Sequence, residues 1–290
     1  MSQTKEILKK IKKLDIKTKQ LVDGIISGNY HSIFKGQGIE FSEIRDYRAG
    51  DDIRTIDWKV TARFNHPYIK EFIEERDLQV YFVIDVSGSG SFGTNISKKE
   101  KALEIIASLM FAALKNNDGI GIFLITDNVE KFIPARKGRK HVLQLLNILT
   151  TFTPKSTKTY LKKPLEQVSK IIKRKSIVFV ISDFIDNGEF LKPLKILRKR
   201  HDVIALRIVD QREKEIPDVG MIELEDEETG EQILIDTSDE EFRNSYFKLV
   251  AENDSKFLTN MMKNKVDTIS LLTDQDYSIS LKKFFKKRNR

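Results

Sequence analysis

From residue 77 onward, short apolar runs alternate with segments in which apolar residues recur at helical spacing. The runs are 80–86, 120–126, 177–182, 203–209 and 266–272. Three of them are apolar almost throughout, the pattern of strands covered on both faces. Between them the period predicts helices over 98–115, 140–150, 161–174, 189–199 and 239–263. Strand and helix in strict alternation predict an α/β fold with a doubly wound, mostly parallel sheet. Residues 129–133, and the pair 220–224 with 231–235 joined through Glu228-Thr229-Gly230, read as antiparallel additions.

The first 76 residues follow other rules. Ile7, Leu8, Ile11 and Leu14, then Leu21, Val22, Ile25 and Ile26, predict an amphipathic helix over 4–27 that ends before Gly28. Residues 28–76 form a charged module rich in turns and β structure. There Arg45, Asp46, Arg48, Asp51, Asp52, Arg54, Asp57 and Arg63 crowd around the single tryptophan, Trp58. Such alternation suits an ion-pair network that fixes the module, or a docking face in which Trp and Arg dominate the contact. The expected organisation is therefore a helix over 1–27, a small β/loop-rich module over 28–76 and an α/β domain over 77–290.

Composition narrows the chemistry. With 290 residues and 40% apolar content the chain can bury a real core. No apolar stretch approaches the roughly 18 to 20 residues of a membrane span, and the first residues lack the apolar core of a signal peptide, so a soluble, cytoplasmic protein is expected. Zero cysteines exclude disulfides and thiolate sites, and the four histidines have no ligand-pair spacing. Any metal should be bound by oxygen. The net charge of +8 sits at the two ends: +5 over residues 1–20 and +6 over 281–290, which leaves the body at −3. Nucleic acid is thereby disfavoured as a partner. The basic ends read as solvated arms able to touch an acidic protein or the inner face of a membrane.

Against that background one cluster stands out. Residues 85–91 read Asp-Val-Ser-Gly-Ser-Gly-Ser and follow the run 80–84 directly. Asp85, Ser87 and Ser89 alternate, and a turn brings their oxygens toward one point, as Mg²⁺, Mn²⁺ or Ca²⁺ requires. Asp183 ends another strand, and Thr159 stands in the loop before a helix, with Thr157 as a rival. In a doubly wound sheet such strand ends and loops line one crevice. Without a cation, Asp85 and Asp183 would face each other at like charge.

Competing chemistries fit less well. Turn-forming Asp and Ser accept backbone hydrogen bonds with no metal at all, and Ser97 can cap the next helix. Gly88-Ser89-Gly90-Ser91-Phe92-Gly93 matches the dinucleotide fingerprint, but Asp85 and Ser87 intervene after the strand and no acid follows at the required distance. A serine nucleophile at Ser89 lacks the glycine that its elbow needs at position 87. A metal-dependent hydrolase would use the same carboxylates, yet no histidine or lysine is placed by the sequence beside Asp85 or Asp183 to serve as a base.

The residues also carry a resemblance. Asp85-x-Ser87-x-Ser89 with Thr159 and Asp183 resembles the metal ion-dependent adhesion site of von Willebrand factor type A domains. The segments 38–41, 45–47, 50–58, 61–63 and 72–76 resemble the bacterial domain-of-unknown-function family fifty-eight. Gly90 replaces a common Met at a position that does not ligate, and the two N-terminal membrane helices frequent in that family have no counterpart here. The resemblance implies a type A-like domain beginning near residue 78. Its Mg²⁺ would be held by Asp85, Ser87, Ser89, Thr159 and Asp183. It further implies a non-catalytic adaptor that binds an acidic side chain of a protein partner and works with a MoxR-type AAA+ ATPase in protein-complex maturation.

Overall fold

A computed structural model describes residues 40–73, 78–88, 97–186, 189–225 and 230–288. They fall into two compact units, one within residues 34–78 and one within 79–290. The helix expected over 4–27 lies outside the described residues.

The small unit is built on two antiparallel strands, β1 (Glu40–Asp46) and β2 (Tyr68–Ile73), in the register Asp46↔Tyr68 and Ile44↔Lys70. Between them run a 3₁₀ turn (Ile53–Thr55) and the short helix α1 (Trp58–Phe64), which the sequence pattern missed because about two turns are too few to show a period. Its acids act locally. Asp52 accepts from the Arg54 amide at 3.0 Å, and Asp57 caps α1 through the Lys59 and Val60 amides. The guanidinium of Arg45 grips Asp51 with two hydrogen bonds of 2.8 and 3.0 Å, and this contact first of all holds the Asp51 carboxyl down at about 2. Trp58, at the start of α1, is 67% exposed, so the docking-face expectation keeps its anchor.

The large unit begins with β3 (Gln79–Asp85) and the 18-residue helix α2 (Lys98–Lys115). There follow β4 (Gly119–Ile125), β5 (Val129–Arg136), α3 (Arg139–Thr151), α4 (Lys162–Ile171) and β6 (Ile177–Ser182). The chain continues through α5 (Leu191–Arg200), β7 (Asp202–Val209), the short α6 (Gln211–Lys214) and the hairpin of β8 (Met221–Glu225) and β9 (Gln232–Asp236). It closes with α7 (Glu240–Lys263), β10 (Asp267–Leu272) and α8 (Tyr277–Arg288).

Six strands form one sheet in the order β10-β7-β6-β3-β4-β5, parallel except for the antiparallel edge β5. This is the doubly wound, mostly parallel α/β sheet that the alternation predicts. Central strands β4 and β6 are buried at every position, which explains their uninterrupted apolar runs. On one face, Tyr81, Val83, Phe123 and Val180 pack against Leu165 and Val168 of α4, Leu194 and Leu197 of α5, and Met261 of α7. Gly121 lies where a Cβ would stand 2.5 Å from the Tyr81 ring, so the strand needs glycine for the ring to lie flat on it. Pro134 falls on the edge strand β5, where a missing amide is tolerated.

The winding reverses between β3 and β6. The chain leaves β3 toward β4 on one side, and leaves β6 toward β7 and then β10 on the other. Asp85 and Ser182 are the last residues of these neighbouring strands, so the fold places the candidate cluster at its switch point.

One expectation needs correction. The basic stretch at the C-terminus is not a solvated arm but mostly helix α8, with Tyr277, Leu281 and Phe285 buried at i, i+4 and i+8. Arg288 is tied to Asp202 at 2.7 Å and Asp267 at 3.0 Å. Its charge therefore fastens the helix to the ends of β7 and β10.

Candidate metal-binding site

The site starts from hydroxyls. The Ser87 hydroxyl donates to Asp85 Oδ1 at 2.6 Å, and the Ser87 amide reaches the same oxygen at 3.1 Å. Thr159, from the loop before α4, donates its hydroxyl to Ser87 Oγ at 2.8 Å across 72 positions of sequence. Behind them Ser182 donates to Asp85 Oδ2 at 2.8 Å and accepts the Phe184 amide at 3.0 Å. Two strand ends and the loop of Thr159 thus bring one carboxylate and three hydroxyls together.

Thr159 meets Ser87 through its hydroxyl. The carbonyl of Thr157 accepts the Gly88 amide at 3.0 Å, a clamp that holds the two loops side by side. That bond also takes the Gly88 amide away from any pyrophosphate, which weakens the dinucleotide alternative. Ser89, Gly90 and Gly93 lie outside the described residues.

Asp183 stands at the same strand end but is held differently. Its Oδ2 receives the Lys98 ammonium at 3.0 Å, and its Oδ1 the Ile185 amide at 3.2 Å. Lys98 also reaches Glu213 Oε1 at 2.6 Å. The sequence placed no lysine beside Asp183; the structure does, from the first position of α2, and Lys98 is only 5% exposed there. Arg207 of β7 donates from Nε to the Asp183 carbonyl at 3.1 Å and pairs with Asp254 of α7 at 2.7 Å.

Phe184 then turns the chain away in the left-handed region, at φ 56°, which a phenylalanine adopts only at a cost. Its ring, 6% exposed, lies between those of Phe190 at 5.6 Å and Phe257 at 5.3 Å. Packing therefore holds the strained turn that aims Asp183.

Electrostatics distinguishes the two acids. Burial pushes the Asp85 carboxyl up to about 6; the Ser87 hydroxyl opposes the shift and the Asp183 charge adds to it. The donors that Asp85 takes among the described residues are hydroxyls and one amide, with no counter-charge. For Lys98, burial works against the charge, but the carboxylates of Asp183 and Glu213 outweigh it and raise the ammonium above its ordinary range. Asp183 thus has a cation at hand and Asp85 has none.

The donor set fits a hard divalent ion. Among the described residues no three Asp, Glu or His side chains gather into a metal cluster, so an ion here must lean on hydroxyl oxygens, which suit Mg²⁺, Mn²⁺ or Ca²⁺ and not zinc. An ionised carboxylate buried without a counter-charge is the second sign that the site suits a cation. Ser182, Lys98, Glu213 and Arg207 were missed by the sequence. For Glu213 a signal existed, since Asp210-x-x-Glu213 is a capping box and the structure shows both of its bonds.

Comparison with known proteins places the chain. Residues 43–256 match the family described as "Protein of unknown function DUF58". The chain belongs to that family. It is 29% identical over 285 residues to the uncharacterized protein Rv1480 of Mycobacterium tuberculosis, covering 97% of this chain and 89% of the relative. It also matches the uncharacterized protein YeaD of Bacillus subtilis, at 29% identity over 37% of this chain and 25% of that one. Among solved structures it is similar to a conserved hypothetical protein, BatB, from Bacteroides thetaiotaomicron, with 16% identity, a TM-score of 0.49 and coverage of 73% and 98%. A VWA domain described as SpRpn10 is similar at 10% identity and a TM-score of 0.39, over 72% of this chain and 94% of that one. Among the described residues no helix is long and apolar enough to cross a membrane.

Proposed function

We propose that this DUF58 protein is a non-catalytic adaptor whose switch-point site binds Mg²⁺, or Mn²⁺ or Ca²⁺ in its place, and through it an acidic side chain of a partner protein. The observation that carries the proposal is the meeting of Asp85, Ser87 and Thr159 from two loops within 2.6 to 2.8 Å, around a carboxylate that has no counter-charge among the described residues. These three side chains would hold the cation, with Ser89 beside them in the sequence and Asp183 at the rim. When bound, the cation supplies a strong, directional contact for a partner's carboxylate oxygen.

This chain's own residues do the rest. Ser182 orients Asp85 from behind, the Gly88 to Thr157 bond keeps the two loops in register, and Lys98 and Arg207 fix Asp183 through its side chain and its carbonyl. A hydrolase is the weaker alternative. Lys98, which reaches Asp183, is held protonated by two acids and has no lone pair to offer. The family resemblance suggests a MoxR-type AAA+ ATPase as the partner. A pull-down with the full chain, with and without chelator and with Asp85→Ala, tests the reading. Partner capture should require both the ion and Asp85; capture that survives chelator and substitution alike ends the cation-bridge mechanism.

A further inference from the structure

Lys98 is an unusual residue for its position. The first turn of a helix favours acids, because the helix dipole puts positive charge there, and lysine is almost never fully buried unless paired. Yet Lys98 is the first residue of the 18-residue helix α2 and is 5% exposed. Its ammonium is aimed by three separate elements: α2 carries it, the end of β6 presents Asp183 at 3.0 Å, and α6 presents Glu213 at 2.6 Å. Glu213 is itself fixed, since its other oxygen accepts the Asp210 amide at 3.0 Å. Asp210 in turn accepts the Thr273 hydroxyl at 2.5 Å. This is a built socket for one positive charge, set at the rim of a site whose other acid, Asp85, has none among the described residues.

We propose that Lys98 is an internal counter-cation that competes with the divalent ion for Asp183, keeping the site weak for the free ion and leaving room for a partner's carboxylate to complete it. The inference rests on the reading of the Asp85 cluster as a cation site. With Asp183 occupied by the ammonium, the ion has one ionised acid, Asp85, and the hydroxyls of Ser87 and Thr159. A carboxylate arriving from a partner restores the second negative charge. Ion and partner then bind together much better than either binds alone, and the protein responds to the pair.

The test is Mn²⁺ binding by the full chain without partner, read from the paramagnetic resonance of free Mn²⁺. Lys98→Met should tighten Mn²⁺ by at least tenfold, on the order of what a unit charge a few ångströms away contributes at an intermediate dielectric. Lys98→Arg should keep the affinity of the original chain. The double variant Lys98→Met with Glu213→Gln removes the ammonium and one acid together, so it leaves no unpaired charge on Glu213 and protects the fold. It should also tighten Mn²⁺, because Asp183 is freed. Should the double variant bind as the original chain does, the effect is one of net charge, and competition for Asp183 is refuted. Unchanged or weaker binding by Lys98→Met refutes it too. Asp85→Ala is the separate control: if Mn²⁺ binding ignores that substitution in every background, the cation site itself falls, whatever Lys98 does.

Discussion

Replacing Asp85 by Asn should stabilise the ion-free protein, although it removes a residue at the centre of the site. Asp85 rises from 3.8 to about 6 because it is buried and faces Asp183. The folded state therefore holds this proton more tightly than the unfolded chain does. Below about pH 4 the carboxyl is protonated in both states and nothing is lost; as pH rises through 6 the folded protein is forced to bury a charge. About two pKa units at about 1.4 kcal/mol each make that cost about 3 kcal/mol at pH 7. The amide of Asn fills the same space and keeps a carbonyl acceptor for Ser87, at an expense of about 1 kcal/mol where an acceptor becomes a donor toward Ser182. Urea unfolding in chelator should show Asp85→Asn ahead by roughly 2 kcal/mol at pH 7, a lead that closes as pH falls toward 4. Saturating Mg²⁺ should reverse the order, since only the original chain gains from it, by about 2.7 kcal/mol at a hundred times Kd. A variant less stable than the original chain at pH 7 in chelator would refute the claim that this carboxylate is buried at a cost.

Other substitutions probe separate parts of the structure. Thr159→Val removes the hydroxyl that reaches Ser87; it should cost about 1 kcal/mol and weaken Mn²⁺ binding measurably by calorimetry, while Thr159→Ser should leave both intact. His201 is 2% exposed, and burial first, then Arg200, pulls its pKa below 6.5, an effect that the nearby Arg174 backbone offsets only in part. Among the described residues, neither ring nitrogen makes a hydrogen bond of ordinary geometry. The unfolded chain therefore takes up this proton first, so stability is whole above about pH 6.5 and falls on acidification below it; His201→Leu should flatten that slope in urea titrations between pH 5 and 7. Phe184→Ala should lose about 3 kcal/mol of packing, whereas Phe184→Gly, freed of the left-handed backbone penalty of about 1 kcal/mol, should be no less stable than the alanine variant, the reverse of the usual order.

The sheet was legible because its physics is one-dimensional. A strand covered on both faces must be apolar at every position, and a helix that covers it must repeat its apolar residues every third or fourth place, so β4, β6 and α2 announce themselves in the sequence. The strand ends followed, and with them Asp85, Asp183 and the loop of Thr159. What stayed hidden depends on direction. Nothing in the string tells that Lys98 turns inward from the start of α2, or that Ser182, besides ending a strand, spends its hydroxyl on Asp85. Helix α8 is a different case: Tyr277, Leu281 and Phe285 carry the period, but the basic residues around them give the stretch the composition of a solvated arm. Charge at the surface and an apolar stripe beneath are compatible on one helix.

The site's hydrogen bonds close on themselves, and that bears on how tightly any ion can be held. Thr159 donates to Ser87, Ser87 donates to Asp85 Oδ1, Ser182 donates to Asp85 Oδ2, and Lys98 donates to Asp183. Each acceptor already has a donor, so an ion does not enter a set of idle oxygens; it displaces bonds that exist. The net gain is the difference between two satisfied arrangements, which argues for modest affinity even though the donor chemistry suits Mg²⁺. It also separates the roles of the residues. Thr159 and Ser87 spend their protons on Ser87 and Asp85, whereas Asp183 would have to release Lys98 before it could give its full charge to an ion. On the proposed reading, a site built this way would discriminate between an ion alone and an ion accompanied by a partner's carboxylate, because only the second would bring enough negative charge to outweigh the bonds it breaks.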